Sequence, residues 1–159
     1  MNKIGYGFDA HRFAKDCQLI IGGVVIDYEF GLKGHSDADV LSHAICDALL
    51  GALGEGDIGT YFPDSDPKYR GISSLVFIEK AVSILRERGF EIGNIDTVIV
   101  CEKPKIAPHI EMIKNKLSSV LNIPKNSIGV KATTTDQMGF TGRGEGIAAH
   151  AVALIKSIN

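Results

Sequence analysis

Asp9 and His11 stand two residues apart in a segment, Ile4–His11, that reads as a strand. Their side chains therefore leave the same face. A carboxylate oxygen beside an imidazole nitrogen is half of a zinc site, and His43, further along the chain, would complete it. Three protein ligands with one open position is the arrangement of a catalytic zinc, because the fourth position must accept water or substrate. Asp47 lies one helical turn beyond His43 and would orient its second ring nitrogen. Taken alone, an Asp-x-His pair is more often the polar face of an edge strand, and a helix histidine is more often simply hydrogen-bonded. Spacing by itself leaves both readings open.

Two further groups suit anions. His35-Ser36 sits where a helix is expected to begin, and free backbone N–H groups there favour negative charge. Thr133-Thr134-Thr135-Asp136 leaves a strand with three hydroxyls and a carboxylate, which suit phosphate oxygens and a hard divalent cation. Read bare, Ser36 is a helix cap, the threonines are β-propensity residues, and Asp57, Asp64 and Asp66 are turn acids. Two glycine motifs lead nowhere. Gly5-Tyr6-Gly7-Phe8-Asp9-Ala10 spells G-x-G-x-x-A, but only four residues precede it and no convincing helix follows. Gly142-Arg143-Gly144-Glu145-Gly146 lacks the G-K-[ST] ending of a phosphate loop.

The elements that must position these groups follow from periodicity. Ile4–His11 and Gln18–Ile26 read as strands, the second cut by Gly22-Gly23. A helix is expected from about Asp37 to Leu53, with Ser36 as N-cap and Gly54 as its stop, because its apolar residues recur at one-face spacing. Asp57–Asp66 reads as a loop. Ser73–Arg88 and His109–Leu121 read as helices, Thr97–Cys101 and Ile128–Thr134 as strands, and the tail Ile147–Ile158 is ambiguous. This order predicts an α+β domain of two layers, with helices on one face of a mixed sheet.

Bulk properties narrow the function. A length of 159 residues suits one domain spanning 1–159. The net charge of −2 gives no reason to expect a nucleic-acid or membrane-surface partner. No apolar run is long enough to span a bilayer. Three cysteines in no CxxC pair read as free thiols, and the chain is expected to be cytoplasmic.

Together the chemical segments resemble the cyclodiphosphate synthase family of isoprenoid biosynthesis. The residues that carry the resemblance are Gly7–Phe13, Gly34–Val40, Asp57-Ile58-Gly59, Phe62–Asp66, Lys103-Pro104-Lys105, Lys131–Thr135 and Gly139–Gly146. By this resemblance, Asp9, His11 and His43 bind zinc, and Asp136 binds a second divalent ion, Mg2+ or Mn2+. His35 and Thr134 act on the transition state, and Ser36 contacts a substrate phosphate. Asp57, Ile58, Gly59, Phe62, Asp64 and Asp66 would hold the methylerythritol part. Cys101, Lys103, Pro104, Lys105, Ala107 and Thr133 to Asp136 would hold the cytidine diphosphate. Phe140 and Arg143 complete the set, Arg143 near a threefold axis with Phe8 and Phe140 lining an apolar cavity.

The resemblance implies a sandwich with a four-stranded sheet, assembled as a homotrimer with active sites shared between subunits. Residues 147–155 would be a strand near the axis. Two residues depart from the family pattern: Asp136 replaces the usual Glu, and His150 replaces a frequent acid. The implied reaction is an intramolecular phosphoryl transfer that releases CMP. Its rivals are hydrolysis of a small phosphate ester at the same zinc, and a silent trimer that only binds isoprenoid diphosphates.

Overall fold

In the computed structural model, which describes residues 1–158, seven strands and five α-helices follow one another along the chain. The main sheet is built from β1 (Asn2–Ala14), β4 (Gly31–Leu32), β5 (Phe90–Val100), β6 (Ile128–Thr133) and β7 (Gly146–Ser157). Its order is β4-β1-β7-β5-β6, with β5 and β6 parallel and the other pairs antiparallel. The mixed α+β architecture is as expected. The strand count is five and not four, because Gly31–Leu32 adds a two-residue edge to Phe13 and Ala14.

One face of this sheet is covered. The helix α1 (Val40–Leu53) lies on β1 and β7, α3 (Leu75–Glu87) lies on α1 and β5, and α4 (Ile110–Leu121) lies on β6. The approach of α1 is unusually close, and the reason is in the side chains. A Cβ on Gly5 would overlap the Ala48 carbonyl, and one on Gly7 the Ala44 carbonyl. Across from them in register stand Ala153 and Ala151, both buried. The glycines of the rejected dinucleotide motif thus exist to admit a helix backbone. Asp9 and His11 continue the same face, so the seam that ends in glycine and alanine opens directly onto the side of α1 that carries His43.

The opposite face of β1 is apolar and open: Ile4, Tyr6 and Phe8 are exposed, as is Val152, the partner of Tyr6 on β7.

Several boundaries differ from expectation. Gln18–Ile26 is a hairpin of β2 (Leu19–Ile21) and β3 (Val24–Ile26), turned by Gly22 and Gly23 at positive φ. The first helix begins at Val40, and its N-cap is Asp39 and not Ser36. Fully buried Asp39 accepts from Ser42 N and Oγ, and from the turn amides of Gly22 (2.8 Å) and Gly23 (2.7 Å). One carboxylate thus pins the hairpin to the helix start, and burial pushes that carboxyl up despite its donors. Asp57–Asp66 contains the short helix α2 (Ile58–Tyr61). β5 begins at Phe90, upstream of the expected strand, because Gly93-Asn94 forms a bulge and not a break. The ambiguous tail is β7. Gly139–Gly142 forms a single turn, α5.

Candidate metal and phosphate site

Asp9 Oδ2, His11 Nε2 and His43 Nδ1 form a triangle with sides of 2.7, 3.0 and 3.2 Å. A tetrahedral ion with bonds of about 2.0–2.1 Å separates its ligand atoms by roughly 3.3 Å, so small outward movements would seat one. The outer ring nitrogens are also occupied. His11 Nδ1 lies 3.0 Å from the Lys33 carbonyl, which can only accept. His43 Nε2 lies 2.8 Å from Ser74 Oγ and 3.1 Å from Ser36 Oγ. With both rings neutral and both outer nitrogens donating, three lone-pair atoms would face one another, and a cation between them would remove the repulsion. That donor set fits a metal.

Burial pushes the Asp9 carboxyl up, but hydrogen bonds and charge from His11 and His43 outweigh it and bring the value from 3.8 down to about 2. Burial likewise pulls His11 down, and Asp9 more than compensates, leaving it above 6.5.

The expected role of Asp47 is overturned. Its Oδ1 accepts from the Ile58 amide at 2.7 Å, so it ties α2 to α1 and does not touch His43. Ser74 takes the place assigned to it, and Ser74 in turn donates to Asp37. Nothing in the sequence linked Ser74 to His43, because the two are brought together only by the packing of α3 on α1.

The triangle opens into a cavity of about 410 Å³. His35, Ser36, Ile58, Gly59, Phe62 and Asp64 line it, as does Phe77, which sequence reasoning missed. Phe62 stacks on Phe77 with ring centroids 4.4 Å apart. His35 Nε2 donates to the Asp66 carbonyl at 3.0 Å, which ties the ring to the loop. The helix-dipole argument for His35-Ser36 fails, since Asp39 already caps α1. Asp57 and Asp66 act as caps, accepting from Thr60 and Lys68 amides.

A second cavity, of about 270 Å³, shares no residue with the first. Cys101, Pro104, Lys105, Ala107, Thr133 and Thr134 line it. Burial pushes the Cys101 thiol up to about 12, and its S–H donates to the Lys103 carbonyl at 3.1 Å, so it is a wall and not a nucleophile. Thr135 bonds to Met138 and Thr141. Asp136, at φ 50°, hydrogen-bonds to Thr134 and lies outside the Asp9–His11–His43 triangle. Phe140 lines a third, smaller hollow beside Arg12. Arg143 is paired with Glu145 at 2.8 Å. His150 bonds to Tyr6 Oη at 2.8 Å, its ring against Phe8, on the open face of the sheet.

Fold and site together define an α+β protein in which three residues able to hold a metal ion stand at the mouth of a cavity of mixed polar and apolar lining. Residues 2–156 match the YgbB family, and the chain belongs to it. It is 54% identical over 154 residues to the 2-C-methyl-D-erythritol 2,4-cyclodiphosphate synthase of Syntrophus aciditrophicus, covering 97% of each chain. Among solved structures it is similar to the bifunctional IspDF of Campylobacter jejuni (TM-score 0.96, 39% identity, 100% of this chain and 43% of that one). It is also similar to the Plasmodium falciparum IspF in complex with CDP (TM-score 0.87, 34% identity, 99% of this chain and 97% of that one). The family expected from the sequence motifs is therefore the right one.

Proposed function

We propose that the chain converts 4-diphosphocytidyl-2-C-methyl-D-erythritol 2-phosphate to 2-C-methyl-D-erythritol 2,4-cyclodiphosphate with release of CMP. The observation that carries this reading is the Asp9–His11–His43 cradle opening into a cavity, in a chain so close to an enzyme of that name.

A 2-phosphate oxygen forms a new bond to the β-phosphorus. The bond from that phosphorus to the α–β bridging oxygen breaks, and CMP departs with the electron pair. No protein nucleophile is needed, so catalysis comes from positioning and charge stabilisation. Zinc in the cradle, and Mg2+ or Mn2+ at Asp136, would supply positive charge to the crowded phosphate oxygens. Ser36 binds a phosphate oxygen beside the cradle. His35 and Thr134 stabilise the oxygens on which charge gathers during transfer. Ile58, Gly59, Phe62 and Asp64 hold the methylerythritol part against Phe77. Cys101, Lys105, Ala107, Thr133 and Thr134 hold the cytidine diphosphate.

The two cavities are separate within one chain, which supports a homotrimer whose sites are completed by a neighbour's Lys105 and Thr134. The open apolar face of Ile4, Tyr6, Phe8 and Val152 supports burial against other copies. Among the described residues no helix is long and apolar enough to cross a membrane. The test is product analysis with the purified protein and the cytidyl substrate: CMP and the cyclic diphosphate in equal amounts are expected. Free inorganic phosphate in place of the cyclic product would overturn the reading.

A further inference from the structure

The protons around His43 can be assigned one by one. Ser74 Oγ touches three groups: Asp37 Oδ1, His43 Nε2 at 2.8 Å and Ser36 Oγ at 3.2 Å. An ionised carboxylate only accepts, so the single Ser74 hydroxyl proton goes to Asp37. The Ser74 lone pairs then remain for His43 and Ser36. With the Ser36 proton directed to Ser74 Oγ, His43 donates from Nε2, which leaves the Nδ1 lone pair facing Asp9 Oδ2 and His11 Nε2.

Asp37 is held in place by backbone. The Ser74 amide donates to its Oδ2 and the Asp39 amide to its Oδ1, both at 3.1 Å. Ser74 is fully buried at the start of α3, so water does not compete for its hydroxyl.

A competing arrangement exists. With the proton on Nδ1, His43 would donate to Asp9 at 3.0 Å and accept at Nε2 from a serine hydroxyl. That tautomer is well bonded, yet it points a proton into the cradle and bars a metal.

We propose that Ser74 and Asp37 are positioning residues for the metal cradle: a serine-bridged carboxylate relay that keeps the Nδ1 lone pair of His43 turned inward. This rests on the reading of Asp9, His11 and His43 as metal ligands. The relay acts twice, by excluding the metal-barring tautomer and by strengthening the ligand through a hydrogen bond toward an anion. Partners of this kind change metal affinity by roughly 10–100-fold.

The test measures zinc affinity by competition with a chromogenic chelator, and the His43 tautomer by nitrogen NMR of the metal-free protein. Ser74→Ala is expected to weaken zinc binding by roughly 10–100-fold and to shift the His43 proton toward Nδ1. Ser74→Thr keeps the hydroxyl and should stay near wild type, which a mere packing role for Ser74 would not predict. Asp37→Asn offers an amide donor that can turn the Ser74 proton back toward His43, so it should weaken zinc and move the tautomer as well. If Ser74→Ala does not fold, Asp37→Asn decides the matter. Unchanged affinity and tautomer in either folded variant would overturn the relay. Wild-type protein that bound no zinc would overturn the metal reading instead, while the tautomer measurement would still judge the relay.

Discussion

Around Asp9, His11 and His43 each imidazole nitrogen has a partner, and the side chains stand on a strand and a helix locked together by glycine and alanine. Around Thr133–Asp136 the hydroxyls are mostly exposed and bond to one another or to nearby backbone. Asp136 and Gln137 both sit at positive φ, 50° and 66°, which non-glycine residues adopt at some cost. The Gln137 amide is tied to Glu102 Oε1 at 2.9 Å, and the other Glu102 oxygen is buried without a partner. The first region is preorganised by a single chain. The second is a strained, half-satisfied loop of the kind that ligands and neighbouring subunits complete. One region is thus finished on folding; under the proposed function the other would be finished by a neighbouring subunit.

The comparison breaks most sharply at His43. His43→Ala should lose zinc and all measurable activity, as measured by metal analysis and CMP release. Full zinc retention would mean that the cradle is not the metal site. At Thr134 the expected damage is confined to chemistry. Thr134→Val should lower turnover by roughly 100-fold, the scale of one lost donor to a charged transition state, with zinc content unchanged. A loss of zinc in that variant would show that the two regions are not independent.

Acid should distinguish them next. The folded His11 pKa lies above 6.5 and must be vacated for metal, so zinc affinity should fall by about tenfold per pH unit below that value. In the metal-free protein the signs are opposite for the two partners. Asp9, depressed to about 2, contributes stability above the ordinary carboxylate range that is lost as pH falls toward 2. His11, raised, contributes stability below 6.5 that is lost as pH rises past its folded value. Chelator competition at several pH values checks the first point; a flat profile would remove His11 from the ligand set. The smallest effect is expected at Asp136→Ala, a severalfold loss of stimulation by magnesium or manganese with zinc retained. Divalent dependence that persisted in full would place that ion elsewhere. For assembly, sedimentation should give a trimer, and an active monomer would contradict the shared site.

Legibility differed between the regions for a physical reason. Asp9 and His11 could be paired from sequence because strand geometry fixes alternate residues to one face over two positions. Helix α1 and its Gly54 stop followed from periodicity in the same way. Two of the mistaken assignments concerned where a polar side chain finds its partner. Ser36 was expected to cap the helix that Asp39 caps, and Asp47 was expected to hold His43 when it holds the Ile58 amide. The hairpin at Gly22-Gly23 was read as one interrupted strand, because a two-residue turn and a kink look alike in a β-branched run.

The amino-acid sequence by itself determined the local frame of this protein: the same-face pair Asp9 and His11, the helix that carries His43, the α+β order and the family motifs. These depend on backbone periods and on residue types a few positions apart. Only the tertiary structure decided which serine and which carboxylate stand behind His43, why Gly5 and Gly7 are glycines, and that two phosphate-suited regions form separate cavities. Those facts depend on how α1 and α3 settle on the sheet. Hydrogen-bond partners are chosen within about 3 Å, a distance that packing sets and spacing along the chain does not.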